Sequence, residues 1–197
     1  WKASYTIRAD HSLVAQGNVA ETNSPKTVTT STLVFIEESQ QTFKYQVENV
    51  EADSTWYLPS TTLSWPEGTT GSLPSVIGIT SRYCTHFQVT NMDLFAAYSI
   101  EIKTKGGFIA YMNGEEINRV NLADDASVKT TATKAYTVSR WVYYSMGMQS
   151  SNLVVGDNYL CVEVHKSYSN SNEPNDFNVV MSPKPEGIDL IANGSYR

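Results

Sequence analysis

The chain has 197 residues, 41% of them hydrophobic and only 17% charged, with a net charge of −6 and a pI near 5.0. The acidic balance argues against nucleic acid and against an anionic membrane surface, since both require a basic footprint. No apolar run approaches the roughly 18 residues that a bilayer-spanning helix needs, and the length suits one large β domain able to bury roughly 70% of its unfolded surface.

The remainder is rich in Ser, Thr and Asn, with 12 Tyr and 4 Trp. Such a mix suits strands with one wet face and loops that hydrogen-bond their own backbone. The chain begins at Trp1 rather than Met, so it reads as a processed or excised piece, and the lack of a leader carries no weight.

In chain order, Tyr5 to Ala9 and Leu13 to Gln16 are short strand candidates, and Lys26 to Glu37 is a Thr-rich, β-branched stretch. Glu38 to Gln41 reads as a polar turn into an alternating strand, Thr42 to Val47, and Thr55 to Leu58 as another short strand. Pro59 to Pro74 is a loop of Pro, Gly, Ser and Thr with Trp65 in its middle. Residues 1–60 are strands of uncertain placement in a single domain, and the dense β region begins at Ser75.

Strands are expected at Val76 to Thr80, Arg82 to Thr90, Phe95 to Lys103, Phe108 to Asn113 and Glu116 to Val120. More are expected at Thr131 to Val138, Trp141 to Ser145, Tyr159 to Lys166 and Phe177 to Ser182. Asn113-Gly114 is the strongest short-range hairpin signal. Gly156-Asp157-Asn158 is a tight turn feeding a strand with Leu160, Val162 and Val164 on one face and Cys161, Glu163 and His165 on the other. Ser167 to Asp176 reads as an exposed loop, and the tail from Pro183 as a linker or edge strand. The whole predicts an all-β, antiparallel β-sandwich. Its two inner faces carry Phe87, Val89, Ile100, Ile102, Tyr111, Leu160, Val162, Val164, Phe177 and Val179. Trp141 and Tyr143, in alternation, are read as facing inward.

From Ser81 to about Ser182 the order of these signals resembles the galactose-binding-like jelly-roll domains, found as sugar-binding domains of glycoside hydrolases and as modules of extracellular multidomain proteins. The matching pieces are Tyr83 to Val89, Tyr98 to Ile102, Tyr111 to Ile117, Leu153 to His165 and Phe177 to Val180. Cys161 stands where that pattern usually has Ala, and Asn178 where Asp is common. The resemblance implies a jelly-roll fold and a binding role, and such modules often hold a structural Ca2+. Asp157, Asp176 and Asp93 are the loop acids that could serve, although no DxDxD-like run supports them.

Cys84 and Cys161 both point away from the predicted core. They could be bridged if their strands are neighbours in one sheet, or stand as two free thiols. His11, His86 and His165 show no metal-site spacing. The last two are read as surface groups on outward strand faces, lacking the cleft and orienting partner that catalysis needs. Glu37-Glu38, Glu115-Glu116 and Asp124-Asp125 are adjacent pairs that a strand would send to opposite faces, so they read as solvated charges rather than a glycosidase pair. No nucleophile elbow or phosphate loop is present, and the chain reads as non-enzymatic.

Aromatics offer the better lead. A glycan site built from end loops would stack a sugar on Trp65 and Tyr168 and hydrogen-bond it through Asn170, Asn172 and Asp176. Asn193 begins a glycosylation sequon, which slightly favours an extracellular or secreted protein. The expected partner is a glycan or a protein surface. The alternatives are self-association in a filament, coat or matrix, and an accessory domain of a glycoside hydrolase.

Overall fold

The computed structural model describes residues 34–47, 51–92, 95–136, 138–147, 152–167 and 176–185, and the backbone of three strands at 4–7, 13–17 and 26–29. The chain divides into two compact units, Trp1–Val34 and Phe35–Arg197. The first holds β1 (Ser4–Ile7), β2 (Leu13–Gly17) and β3 (Lys26–Thr29), antiparallel in that order.

The second unit is an antiparallel β-sandwich with no helix among its described residues. Its strands are β4 (Thr42–Gln46), β5 (Glu67–Thr69), β6 (Thr80–Val89), β7 (Phe95–Thr104), β8 (Gly107–Met112), β9 (Glu115–Val120), β10 (Arg140–Gly147), β11 (Gly156–His165) and β12 (Asn178–Pro185). One sheet runs β5-β4-β6-β11-β8-β9, the other β10-β7-β12. Ile36 bridges to Met181 and so extends the β12 edge of the second sheet.

Alternation sets the core. Tyr83, Phe87 and Val89 of β6, Leu160 and Val162 of β11, and Phe108, Ala110 and Met112 of β8 face Tyr98, Ile100 and Ile102 of β7 and Val179 and Met181 of β12. Phe177 fills the centre, stacked on Tyr83 at 4.1 Å and edge-on to Phe43 at 5.6 Å. Two turns frame it. Asn113 (φ 52°) and Gly114 (φ 90°) close the β8–β9 hairpin in the left-handed region that Asn and Gly tolerate best. Gly106, just before β8, passes so close to β11 that a Cβ there would fall 2.0 Å from the His165 carbonyl oxygen.

Several expectations are corrected. Tyr111 lies between Ala110 and Met112, both inward, so the pleat turns it to the outer face. Trp141 and Tyr143 also face outward, 38% and 52% exposed, while Val142 and Met146 pack on the core. Residues 141–144 are apolar at both parities, so alternation could not choose their face. Thr55 to Leu58 is a run of turns, not a strand. The described part of Thr131 to Val138 forms a strap rather than a strand, held by Ala132 N to Lys166 O (2.8 Å) and Thr133 N to Asn121 O (2.9 Å).

Candidate functional site

The outer face of the six-stranded sheet is not bare. Residues 51–66 fold back over it, which overturns the expectation that outward side chains here meet solvent. The fold-back is built locally: Asp53 accepts from Thr55 N (2.8 Å) and Thr55 Oγ1 (2.7 Å), and its carbonyl accepts from Trp56 N (3.0 Å). Those two bonds also hold the exposed Asp53 carboxyl below its ordinary range. Successive turns then present Trp56 and Tyr57 to the sheet. Trp56, only 6% exposed, stacks on Trp65 at 5.8 Å, meets Tyr111 edge-on at 5.7 Å and lies 5.4 Å from the Arg82 guanidinium. Tyr57 stacks on Tyr111 at 4.2 Å. Burial first, then the nearby Glu163 and Glu116 charges, push the Tyr111 phenol up to about 12.

Beneath the aromatics, Cys84 and Cys161 occupy directly opposed positions on β6 and β11, with Cα atoms 4.1 Å apart, and are joined as a disulfide. Further along the same face, Arg82 Nε donates to Glu163 Oε2 (2.6 Å) and Arg82 Nη1 to Gln46 Oε1 (2.7 Å). His165, read from the sequence as a surface group, is 0% exposed. Its Nε2 lies 2.8 Å from Glu163 Oε1, and its Nδ1 lies 2.6 Å from Thr130 O. Nδ1 is also 3.2 Å from Thr80 Oγ1, whose own hydrogen goes to Val128 O (2.7 Å). Glu163 Oε1 and Thr130 O thus hold the ring at both of its nitrogens and fix its orientation. Burial opposes the Glu163 charge, but the His165 hydrogen bond and the Arg82 guanidinium outweigh it and hold this carboxyl below its ordinary range. The network pins the strap to the end of β11. The cavity beside His165 measures about 30 Å³, room for one or two waters.

A much larger space opens on the other side of Trp56. It is a groove of about 610 Å³, within the size range of small-ligand sites. Its floor is Thr42 and Lys44 of β4, Cys84 and His86 of β6, and Tyr159 and Cys161 of β11. Trp56, Leu58, Pro59 and Leu63 form one wall, and Glu67 of β5 another. Lys44 Nζ donates to Leu63 O (2.6 Å) and fastens the wall to the sheet. Gln41, which lines the groove, donates from Nε2 to Thr85 Oγ1 (2.6 Å) and His86 O (3.1 Å). His86 and Tyr159 sit opposite each other in register, their rings 6.0 Å apart. Apolar ring faces and a mixed set of donors and acceptors thus share one concavity.

The predicted loop site is arranged differently. Trp65 is half-buried against Trp56 in the aromatic cover, and Asp176 lines the small cavity beside His165. Tyr168, Asn170, Asn172 and the sequon residue Asn193 lie outside the described residues, as do His11 and Asp93. Asp157 lies at the start of β11, whereas Asp176 lines the cavity beside His165 at the other end of that strand, so the two acids do not meet in one site. Among the described residues no three His, Cys, Asp or Glu side chains gather as a metal site. The paired acids Glu37-Glu38, Glu115-Glu116 and Asp124-Asp125 are exposed.

Sequence reasoning missed the groove because it is assembled from four strands and a loop. The one available signal was that His86 and Cys84 share a face of β6 while Tyr159 and Cys161 share a face of β11. No protein-family model matches the chain, and no curated protein matches it in sequence. Among solved structures, the chain is similar to a β-glucuronidase from glycoside hydrolase family 2, at 10% identity and a TM-score of 0.49 over 80% of this chain and 18% of that one. It is also similar to a glycosyl hydrolase family 2 member from Bacteroides cellulosilyticus, at 10% identity and a TM-score of 0.47 over 74% and 20%. A third is a β-glucuronidase from Bifidobacterium dentium, at 10% identity and a TM-score of 0.43 over 78% and 30%. The chain spans less than a third of the length of each.

Proposed function

We propose that this chain is a non-catalytic, galactose-binding-like β-sandwich module that binds carbohydrate in the groove between residues 56–63 and the outer face of β4, β6 and β11. The observation that carries the reading is the groove itself: ligand-sized, with the Tyr159 and His86 rings beside Lys44, Gln41 and Glu67. A sugar offers C–H faces to rings and paired hydroxyls to mixed donors and acceptors, and this concavity meets both demands. The buried Arg82–Glu163–His165 network favours a binding role over a catalytic one, because the cavity beside it has no room for a substrate. Such a module would act outside the cell, where a disulfide persists, and would suit an accessory domain of a glycoside hydrolase. A glycan array tests it. Binding should fall at least about tenfold, roughly 1.4 kcal/mol, in Tyr159→Ala and in His86→Ala, and stay unchanged in Trp141→Ala.

A second reading rests on a different observation. Trp141 and Tyr143 project from β10, the edge strand of its sheet, and are well exposed. An edge strand with two solvent-facing aromatics is suited to pairing with another copy. Light scattering after size exclusion tests it: a self-associating species that becomes monomeric in Trp141→Ala supports the structural-subunit reading, and a wild-type monomer at high concentration counts against it.

A further inference from the structure

We propose that the Cys84–Cys161 disulfide is a thiol-exchange site that a small thiol reaches through the groove in the folded protein, with Cys84 as the sulfur attacked. The inference stands apart from the carbohydrate reading, since it needs only the groove's geometry.

Both cysteines are covered by the sheet and by Trp56, yet both line the groove. Exchange requires a thiolate to approach along the S–S axis from behind the sulfur it attacks. That axis crosses from β6 to β11, so the two approaches differ. Behind Cys161 lies β8, where its opposed residue is Tyr111, closed over by Tyr57 and Trp56. Behind Cys84 lies β4, where its opposed residue is Lys44, on the groove floor. The open side is therefore the one that carries a cation: the Lys44 ammonium, held at Leu63 O (2.6 Å) on the groove wall, keeps its charge there, which attracts a thiolate and favours one formed on Cys84.

The steps balance with a small-molecule thiol as reductant. Its thiolate forms a bond to Cys84 Sγ, the Cys84–Cys161 bond breaks, and the electron pair leaves on Cys161 Sγ, which takes up a proton. A second equivalent of thiol attacks the mixed disulfide at the small-molecule sulfur and releases Cys84 as thiolate beside Lys44. The protein disulfide gains two electrons, and two thiols become one disulfide.

The test uses the whole chain, native and oxidised, pulsed with glutathione, quenched with iodoacetamide and mapped by peptide mass. The expected result is a glutathione adduct on Cys84 and alkylated Cys161, formed at least about tenfold faster than the slowest β6 and β11 amides exchange with deuterium. Lys44→Met should slow adduct formation several-fold and Lys44→Arg should restore it, with near-UV circular dichroism verifying that each variant is folded. An adduct on Cys161, reaction no faster than global opening, or an unchanged rate in folded Lys44→Met would each overturn the proposal. The wild-type mapping decides the matter even if a variant fails to fold.

Discussion

Asn113 donates from its Nδ2 to Oδ1 of Asn158 over 2.8 Å, joining the two turns that stand out most in the sequence. The contact is part of a larger clasp. Asn113 Nδ2 also donates to Asn152 O (2.8 Å), and Asn113 Oδ1 accepts from Tyr159 N (2.7 Å). Asn158, fully buried, accepts from Val154 N (2.9 Å) and donates to Val154 O (2.7 Å) and Gly156 O (3.0 Å). One amide pair thus fixes the β8–β9 hairpin against the start of β11 and sets Tyr159 at the groove.

Removing Asn158 deletes a fully buried side chain and its hydrogen bonds to Val154 N, Val154 O, Gly156 O and Asn113 Nδ2. Asn158→Ala should lower stability by about 2 kcal/mol, the cost of losing this network of hydrogen bonds around one buried side chain. Urea unfolding of the two proteins measures it, as a shift in midpoint at constant slope.

Glu163 gives the fold an acid limit. Its folded-state carboxyl titrates below the ordinary 4.5, so its contribution is present above the unfolded-state value and is lost as pH falls through the lower folded-state value. Stability should therefore decline below about pH 4.5, and the decline should be shallower in Glu163→Gln. Thermal unfolding across pH 3 to 7, approximately, checks it.

Tyr111 gives a second, alkaline signature. Its phenol is raised to about 12, so the folded state keeps a proton that the unfolded state releases near pH 10, and stability falls as pH rises between those values. Ultraviolet titration of the folded protein should show a late-ionising tyrosine that disappears in Tyr111→Phe.

The disulfide closes a long loop, with its cysteines separated by 77 positions in sequence. Chain-entropy arguments put its contribution at about 4 kcal/mol. Replacing both cysteines by Ala should lower stability by that order in urea, while far-UV circular dichroism stays that of a β protein.

Much of the sandwich is legible in the sequence. Residues such as Phe87, Val89, Leu160 and Val162 alternate cleanly with polar neighbours, and Asn113-Gly114 can hardly be anything but a reversal. The site was not legible, for a physical reason. Alternation tells which side of a sheet a residue faces but not what covers that side, so Glu163 and His165 looked exposed, although Thr130 lies on the His165 ring and Trp56 on the Arg82 guanidinium that holds Glu163. Trp56 and Tyr57 look like strand residues by composition. Their turns depend on Asp53 capping Thr55, a local bond that competes with strand pairing. Trp65 packs against Trp56 in the aromatic cover and does not line the groove.

The most direct test of carbohydrate binding in the groove is amide shift mapping of the folded chain titrated with the strongest glycan from an array. The account predicts saturable shifts at Lys44, Cys84, His86 and Tyr159, with residues 141–145 unmoved. Shifts confined to 141–145, or none on β4, β6 and β11 at saturation, would contradict it.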